Sequence, residues 1–314
     1  MITYIVRRLG SALVVMLGVA VMTFVLLHLV SSSPANAVLG ATATKEQIAA
    51  FNHEHGYDDP IVIQFITYVG NLFRGDLGFS YTLNQGVGNL LLQNVGRSAY
   101  LSIAALVLAV VVSIPVGIYQ ATHRNKISDH ALTLVTLILL AMPAFFFGLI
   151  LVSIFGMTLH WLPFEGSQST STWGAILDVR HMIMPIVSLA AVQVATFSKY
   201  VRSSALDNLG MDYMRLARAK GLAERRIRYV HLARNSCLPV IAMVGLSIPS
   251  VLAGNVLIET LFNYPGLGLL FYNALQMADY PILLGITILG AGLVVVGSLV
   301  ADLVSVAVDP RIRL

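Results

Sequence analysis

The sequence predicts an all-α integral membrane protein of six spanning helices, with both ends of the chain on one side. Three observations predict it. The mean hydropathy of the 314 residues is +0.81, and only 11% of them are charged, where about a quarter is usual in a soluble domain. Six long apolar runs contain no Asp, Glu, Lys or Arg. The Lys and Arg residues that remain fall very unevenly on the segments between those runs.

A spanning helix needs roughly 20 apolar residues. An unpaired backbone group in lipid costs several kcal/mol, so each run is expected to be helical. The first, Leu9–Val30, follows Arg7 and Arg8, a positive start that a secretory leader would share. Its length exceeds the apolar stretch of about 7–15 residues in such leaders, so it is expected to stay as a span. The others are Ala99–Tyr119, Ala131–Leu159, Met182–Ser198, Cys237–Leu257 and Pro281–Ala301, of which Met182–Ser198 is the shortest. Pro115, Pro143, Pro185, Pro239 and Pro249, with glycines such as Gly117 and Gly148, predict bends and close helix approach.

Between the runs, residues 31–97 form a sizeable external region. Ile61, Phe65, Tyr68 and Leu72 recur there at helical spacing after Asp58, Asp59 and Pro60, which predicts a short amphipathic helix capped by one of the aspartates. Gly75 and Gly78 are expected to break it. Trp161 and Trp173, the two tryptophans, fall in a second external loop near the membrane interface, where aromatic belts lie. In a third, Leu261–Tyr280, the stretch Asn-Tyr-Pro-Gly-Leu-Gly predicts a tight turn, with Gly266 and Gly268 supplying unusual backbone angles and apolar flanks dipping back toward the bundle. Three parts result: residues 1–30 with the first span, the external region 31–97, and a five-span core 98–314 containing a basic loop at 199–237.

Loop charge sets the orientation. Fifteen Lys and Arg residues lie on the side of the chain ends, nine of them between Lys199 and Arg234, against four on the other side. The positive side is expected to be cytoplasmic.

Several chemistries lack their residues. The six runs hold no ionisable carboxylate for a proton- or sodium-driven carrier; Glu259 and Asp302 stand at span ends. His28, near the outer end of the first span, is read as a satisfied structural histidine. None of the four lysines completes a phosphate-binding Gly-x-x-x-x-Gly-Lys-Ser/Thr loop. His53-Glu54-His55 has metal-like spacing but no evident third ligand. The lone Cys237 forms no internal disulfide and is read as packing.

The basic loop is the remaining feature. Residues 211–221, Met-Asp-Tyr-Met-Arg-Leu-Ala-Arg-Ala-Lys-Gly, predict a short helix with Asp212 at its start, Arg218 and Lys220 at its end, and Gly221 as its stop. Tyr213, Leu216 or Ala217, and Lys220 would share one side, and Arg215 and Arg218 another. A second helical stretch would place Ile227, Val230 and Ala233 or Arg234 in step. Anionic lipid and membrane topology both account for the charge. Nucleic acid does not, for want of an aromatic stacking platform. A small-residue helix stopped by a glycine in mid-loop points to an element that docks into a partner's groove.

This loop resembles the coupling loop of ABC importer permeases, in the form found in oligopeptide and dipeptide permeases of the first-permease type. Arg215, Leu216 and Ala217 stand where that pattern has Glu-Ala-Ala; Gly221 and the later Leu238-Pro239 match it. Tyr-Ile-Val-Arg-Arg-Leu-Gly at the start, Gly-Asp-Leu-Gly-Phe-Ser-Tyr, Trp-Leu-Pro-Phe-Glu-Gly, Glu-Thr-Leu-Phe-Asn-Tyr-Pro-Gly-Leu-Gly and the final Asp-Pro-Arg-Ile-Arg-Leu extend the likeness along nearly the whole chain. The resemblance implies a type I importer permease in a bacterial plasma (inner) membrane. It implies as partners a second permease, two cytoplasmic ATPase subunits and an external substrate-binding protein. ATP and Mg would sit on the partner subunits and no cofactor on this chain, which would itself be no enzyme. The docking residues it implies are Tyr213, Arg215, Ala217, Arg218, Ala219, Lys220, Gly221 and Leu222. A nickel or other metal-complex importer permease, to which His53 and His55 lend slight support, and a secondary carrier are the alternatives.

Overall fold

The structure is a computed structural model that describes residues 2–30, 35–40, 43–252 and 254–308. Arg311 and Arg313 of the charge asymmetry, the terminal Asp-Pro-Arg-Ile-Arg-Leu motif, and the side chains of Arg7, Arg8, Pro249 and Asp302 lie outside the described residues. The chain is helical almost throughout. In order it forms α1 (Ile2–Val30), α2 (Ala35–Leu39), α3 (Lys45–Glu54) and α4 (Ile61–Phe73), then the hairpin β1 (Phe79–Ser80) and β2 (Gln85–Gly86). The bundle follows with α5 (Val87–Thr122), α6 (Ile127–Ala141), α7 (Ala144–Leu151), α8 (Thr172–Leu177) and α9 (Val179–Leu209). It is completed by α10 (Asp212–Ala219), α11 (Glu224–Arg226), α12 (Ala233–Ser236), α13 (Leu238–Leu252), α14 (Val256–Leu261), α15 (Leu267–Gln276) and α16 (Tyr280–Val308).

Among the described residues, four helices are long and apolar enough to cross a membrane: α1, α5, α9 and α16. Two bent pairs bring the number to six if each counts as one span. The run Ala131–Leu159 is not a straight helix. Met142 precedes Pro143 and is held extended, α6 ends there, and α7 leaves at 108°. The physical cause is the clash of a proline ring with helical geometry at the residue before it. The second pair bends by 45° where residues 224–236 meet α13 at Leu238-Pro239. The run Met182–Ser198, the shortest by sequence, is the middle of the 31-residue α9, and the helix containing Ala99–Tyr119 begins already at Val87. Both helices therefore continue past the ends expected from hydropathy, because a helix projecting from the bilayer need not be apolar.

The core is the seam between α5 and α9. On α5 the small residues Ala105, Ala109, Ser113 and Gly117, each four apart, are all buried; Ala191, Ala195, Ser198, Val201 and Ala205 are buried on α9. Lipid tails are as apolar as the helices, so association rests on close packing, and small residues allow it. Gly117 marks the tightest point. A Cβ there would lie 2.6 Å from Val201 Cβ and 2.7 Å from the Ser198 carbonyl oxygen.

At the end opposite the basic loop, α14 and α15 are too short to cross and turn back on the bundle. Glu259, fully buried, holds this hairpin: its Oε1 accepts from the Asn255 N–H at 3.1 Å and its Oε2 from those of Gly268 (2.6 Å) and Leu269 (3.3 Å). Ser98 Oγ accepts from the Leu267 N–H at 2.7 Å, and the Tyr264 hydroxyl donates to the Arg97 carbonyl at 3.0 Å. Gly266 and Gly268 do not supply unusual angles. Gly266 is extended and Gly268 helical, and the left-handed residue is Asn263 at φ +46°. The glycines are there for space: a Cβ on Gly266 would collide with the Glu259 carboxylate, and one on Gly268 with the Val256 backbone at 2.7 Å.

The helix expected in the external region is α4, but neither Asp58 nor Asp59 caps it; Pro60 occupies that position with no side-chain bond. The Tyr57 and Asp59 carbonyls instead accept from the Gln64 side chain. Phe65 and Tyr68 pack on Phe24 of α1, whereas Ile61 is exposed. Gly75 and Gly78, at φ +79° and +89°, end the segment as expected. Trp161 and Trp173 are both exposed, as interface residues would be.

Gly117→Ala is expected to destabilise the fold by about 1–3 kcal/mol through overpacking. Gly18→Ala, where a Cβ would meet nothing within 4 Å, should be neutral or slightly stabilising. Thermal unfolding of the purified chain in mild detergent compares the two.

Candidate functional site

The basic loop is mostly helix. α9 continues through Lys199 and Arg202 to Leu209, and only Gly210 and Met211 separate it from α10. Asp212 sits in the first turn of α10 and Arg218 in its last, matching the helix dipole. The end of α10 is a Schellman turn. The Gly221 N–H donates to the Arg218 carbonyl at 2.9 Å and the Leu222 N–H to the Ala217 carbonyl at 3.3 Å, with Gly221 at φ +73°. The left-handed angle, not crowding, selects glycine here, since a Cβ would meet no atom within 4 Å.

The expected docking residues divide between two faces. Arg215, Arg218, Ala219, Lys220 and Gly221 are exposed. Ala217 is buried with Met214, and Leu222 packs half-buried against the same core, so these residues fasten α10 to the bundle. Tyr213 is half-buried and donates from its hydroxyl to Asn208 Oδ1 at 2.8 Å, tying α10 to the end of α9. Leu216, 56% exposed, lies on the outer face; spacing alone left it interchangeable with Ala217. Arg218 pairs with Glu224 at 3.0 Å across the turn, and Glu224 also faces Arg228 at 3.7 Å.

The register expected after the turn is corrected. Val230 is 52% exposed, and the buried residues are Ile227, Leu232 and Ser236. Residues 227–232 form a π-turn, whose wider ring inserts an extra residue, so that Ile227 and Leu232 are five apart before the ordinary spacing of four resumes at Ser236.

The sequence reading missed an ion pair at the same end, between a buried Asp129 and a half-buried Arg202. Arg202 donates from Nε to Asp129 Oδ1 at 3.0 Å and from an Nη to Oδ2 at 2.9 Å. Asp129 is 1% exposed, and its Oδ2 also accepts from the Asn125 N–H at 3.1 Å. The one available signal was an acid at the third position of a helix beside a basic segment.

At the opposite end, α1, α4 and the start of α16 enclose a cavity of about 220 Å³ lined by His28, Tyr57, Gln64, Tyr68 and Tyr280 among others. His28 is satisfied, with Nδ1 facing the Phe24 carbonyl at 2.8 Å and Nε2 facing Gln64 Oε1 at 3.0 Å. Burial pushes the Tyr57 phenol up to about 12, helped by neighbouring Tyr81. His55 faces the Phe51 carbonyl of its own helix and stacks on that ring. Among the described residues no three His, Cys, Asp or Glu side chains converge as metal ligands would.

The fold is a helical bundle with four to six candidate spans among the described residues and a short basic helix locked by a glycine turn at one end. Residues 113–314 match the family described as binding-protein-dependent transport system inner membrane component, and residues 1–88 match the N-terminal family of the same membrane components. The chain belongs to this family. It is 36% identical over 316 residues to the oligopeptide transport system permease protein AppB of Bacillus subtilis, covering all of both chains. It is 34% identical to the di/tripeptide transport system permease protein DppB of Pseudomonas aeruginosa over 333 residues, and 34% identical to the dipeptide transport system permease protein DppB of Escherichia coli over 338. Each of these alignments covers the whole of this chain and 99% of the relative.

Gly221→Ala forces an L side chain into the left-handed region, at a cost of roughly 1–2 kcal/mol. Amide hydrogen exchange across 212–222 is expected to quicken in that variant while the α5 core keeps its wild-type protection.

Proposed function

We propose that this chain forms half of the transmembrane pathway of an ATP-driven peptide importer, paired with a second, homologous permease. Two ATPase subunits would power it from the cytoplasm, holding the ATP and Mg, and a binding protein outside would deliver di- or oligopeptides. The permease names of the relatives, all of them peptide systems, support peptides over the metal-complex alternative. Counting each bent pair as one span makes six, which returns the chain to the side it started from. The charge asymmetry supports reading that side, with α10, as cytoplasmic.

One observation carries the coupling role. α10 presents Arg215, Leu216, Arg218, Ala219 and Lys220 outward, while Met214 and Ala217 anchor it and Gly221 fixes its end. This is a rigid knob on the end of a spanning helix, suited to a cleft on an ATPase subunit. Displacement of that subunit would then move α9, and with it the α5–α9 seam.

Gly221→Pro removes the N–H that closes the turn and forbids the positive φ. Asparagine tolerates that angle better than most residues. In the assembled complex, Gly221→Pro is expected to leave membrane insertion intact and to uncouple ATP hydrolysis from peptide uptake, with Gly221→Asn near wild type. Peptide uptake and phosphate release measured together in liposomes decide the matter, and wild-type uptake by Gly221→Pro would sink the docking role.

A further inference from the structure

We propose that Asp129 and Arg202 are positioning residues for coupling: their ion pair, buried at Asp129 and half-buried at Arg202, ties the bent helix pair α6–α7 to the motion of α9 and α10. The inference rests on the docking role given to α10 above. Arg202 stands about two turns, or roughly 10 Å, before the end of α9, on the same unbroken helix. Asn208, in the turn between, accepts from Tyr213 of α10 and donates to the Ser204 carbonyl at 2.8 Å. A displacement of α10 therefore reaches Arg202 along the last two turns of α9.

What Arg202 holds is a helix with few fully buried residues. Of the 15 residues of α6, all of them described, only Asp129 and Thr136 are buried. Leu134, Val135, Leu137 and Ile138 all face outward. Apolar contact of α6 with the bundle comes from Leu132, Leu139 and Leu140, each only half-buried. Polar contacts add to it: the Asp129–Arg202 pair, and the bond from Gln120 Nε2 of α5 to Thr133 Oγ1 at 3.2 Å. Both guanidinium bonds land on one carboxylate, which fixes the angle between two helices as well as their distance. The Asn125 N–H, donated from a residue at φ +63°, orients the carboxylate from its other side.

The far end of this linkage reaches the opposite side of the bundle. α6 passes through the 108° bend into α7, where Gly148 packs against Ser188 of α9 and against Leu261 and Phe262 of the re-entrant hairpin. A Cβ on Gly148 would lie 2.8 Å from Leu261 Cδ2 and 3.1 Å from Ser188 Oγ. One chain of contacts thus runs from α10 through Arg202 and Asp129 to the hairpin held by Glu259. An ion pair of this kind is weak evidence for stability, since well-packed apolar residues of similar volume can often replace a buried pair at little cost. Fixing the geometry of a loosely packed helix is the use this one has.

The test uses the full complex in liposomes and counts peptides taken up per ATP hydrolysed. Arg202→Lys keeps the charge but loses the fork. The double variant Asp129→Leu with Arg202→Met replaces the pair with apolar side chains of similar size. The double variant is expected to assemble and hydrolyse ATP as wild type does while peptides per ATP fall about tenfold. Arg202→Lys should fall between the two. If the double variant does not assemble, Arg202→Lys decides alone. Wild-type peptides per ATP in any assembled variant overturns the inference. Failure of the docking role looks different, because it appears as wild-type coupling in Gly221→Pro, a variant that leaves Asp129 and Arg202 untouched.

Discussion

The close approach of α5 and α9 is the contact on which the rest of the molecule depends. In lipid there is no hydrophobic force between helices, so a seam forms only where backbones come near enough for dense packing. Alanines, serines and Gly117 provide that approach along most of its length. Because α9 extends unbroken beyond the seam, it carries Arg202, Asn208 and α10 at a fixed place relative to the core. The external hairpin depends on the same seam from the other end, through Ser98 and the Arg97 carbonyl of α5.

Backbone satisfaction explains the irregular parts. A helix interrupted within a membrane must find partners for the groups it frees, and non-helical backbone is tolerated only where protein or a cavity supplies them. At the re-entrant hairpin, Glu259 accepts three N–H groups and Ser98 a fourth. A carboxylate is suited to this because both of its oxygens accept and neither needs to donate. At the π-turn of residues 227–232 the wider ring moves side chains onto a new face without opening the backbone.

Much of this was legible in the residues, for reasons that can be named. Apolar runs located the spans because spanning length is imposed by the bilayer, and the charge cluster located α10 because so little charge lies elsewhere. Gly221 announced the end of α10, since few other residues accept its angle. The failures share one cause, which is that a local pattern cannot register a partner distant in sequence. Asp129 and Arg202 are 73 residues apart, and Glu259 looked like a span-end acid until its hairpin folded around it. The π-turn at 227–232 defeated a period of 3.6, and Gly266 and Gly268 read as turn formers although their service is to leave room for a carboxylate and a neighbouring backbone.

By itself, then, the sequence determined the apolar surroundings of this protein, the apolar segments from which its candidate spans are built, and the short basic helix with its glycine stop. Those follow from hydropathy, charge and single-residue backbone preference, all of which act locally. Only the tertiary structure decided which side of α10 faces outward, how sharply α6 and α7 part, and which buried polar groups find one another. These depend on helices meeting across tens or hundreds of residues, where dense packing and the need to pair every buried polar group choose among arrangements that hydropathy leaves equal.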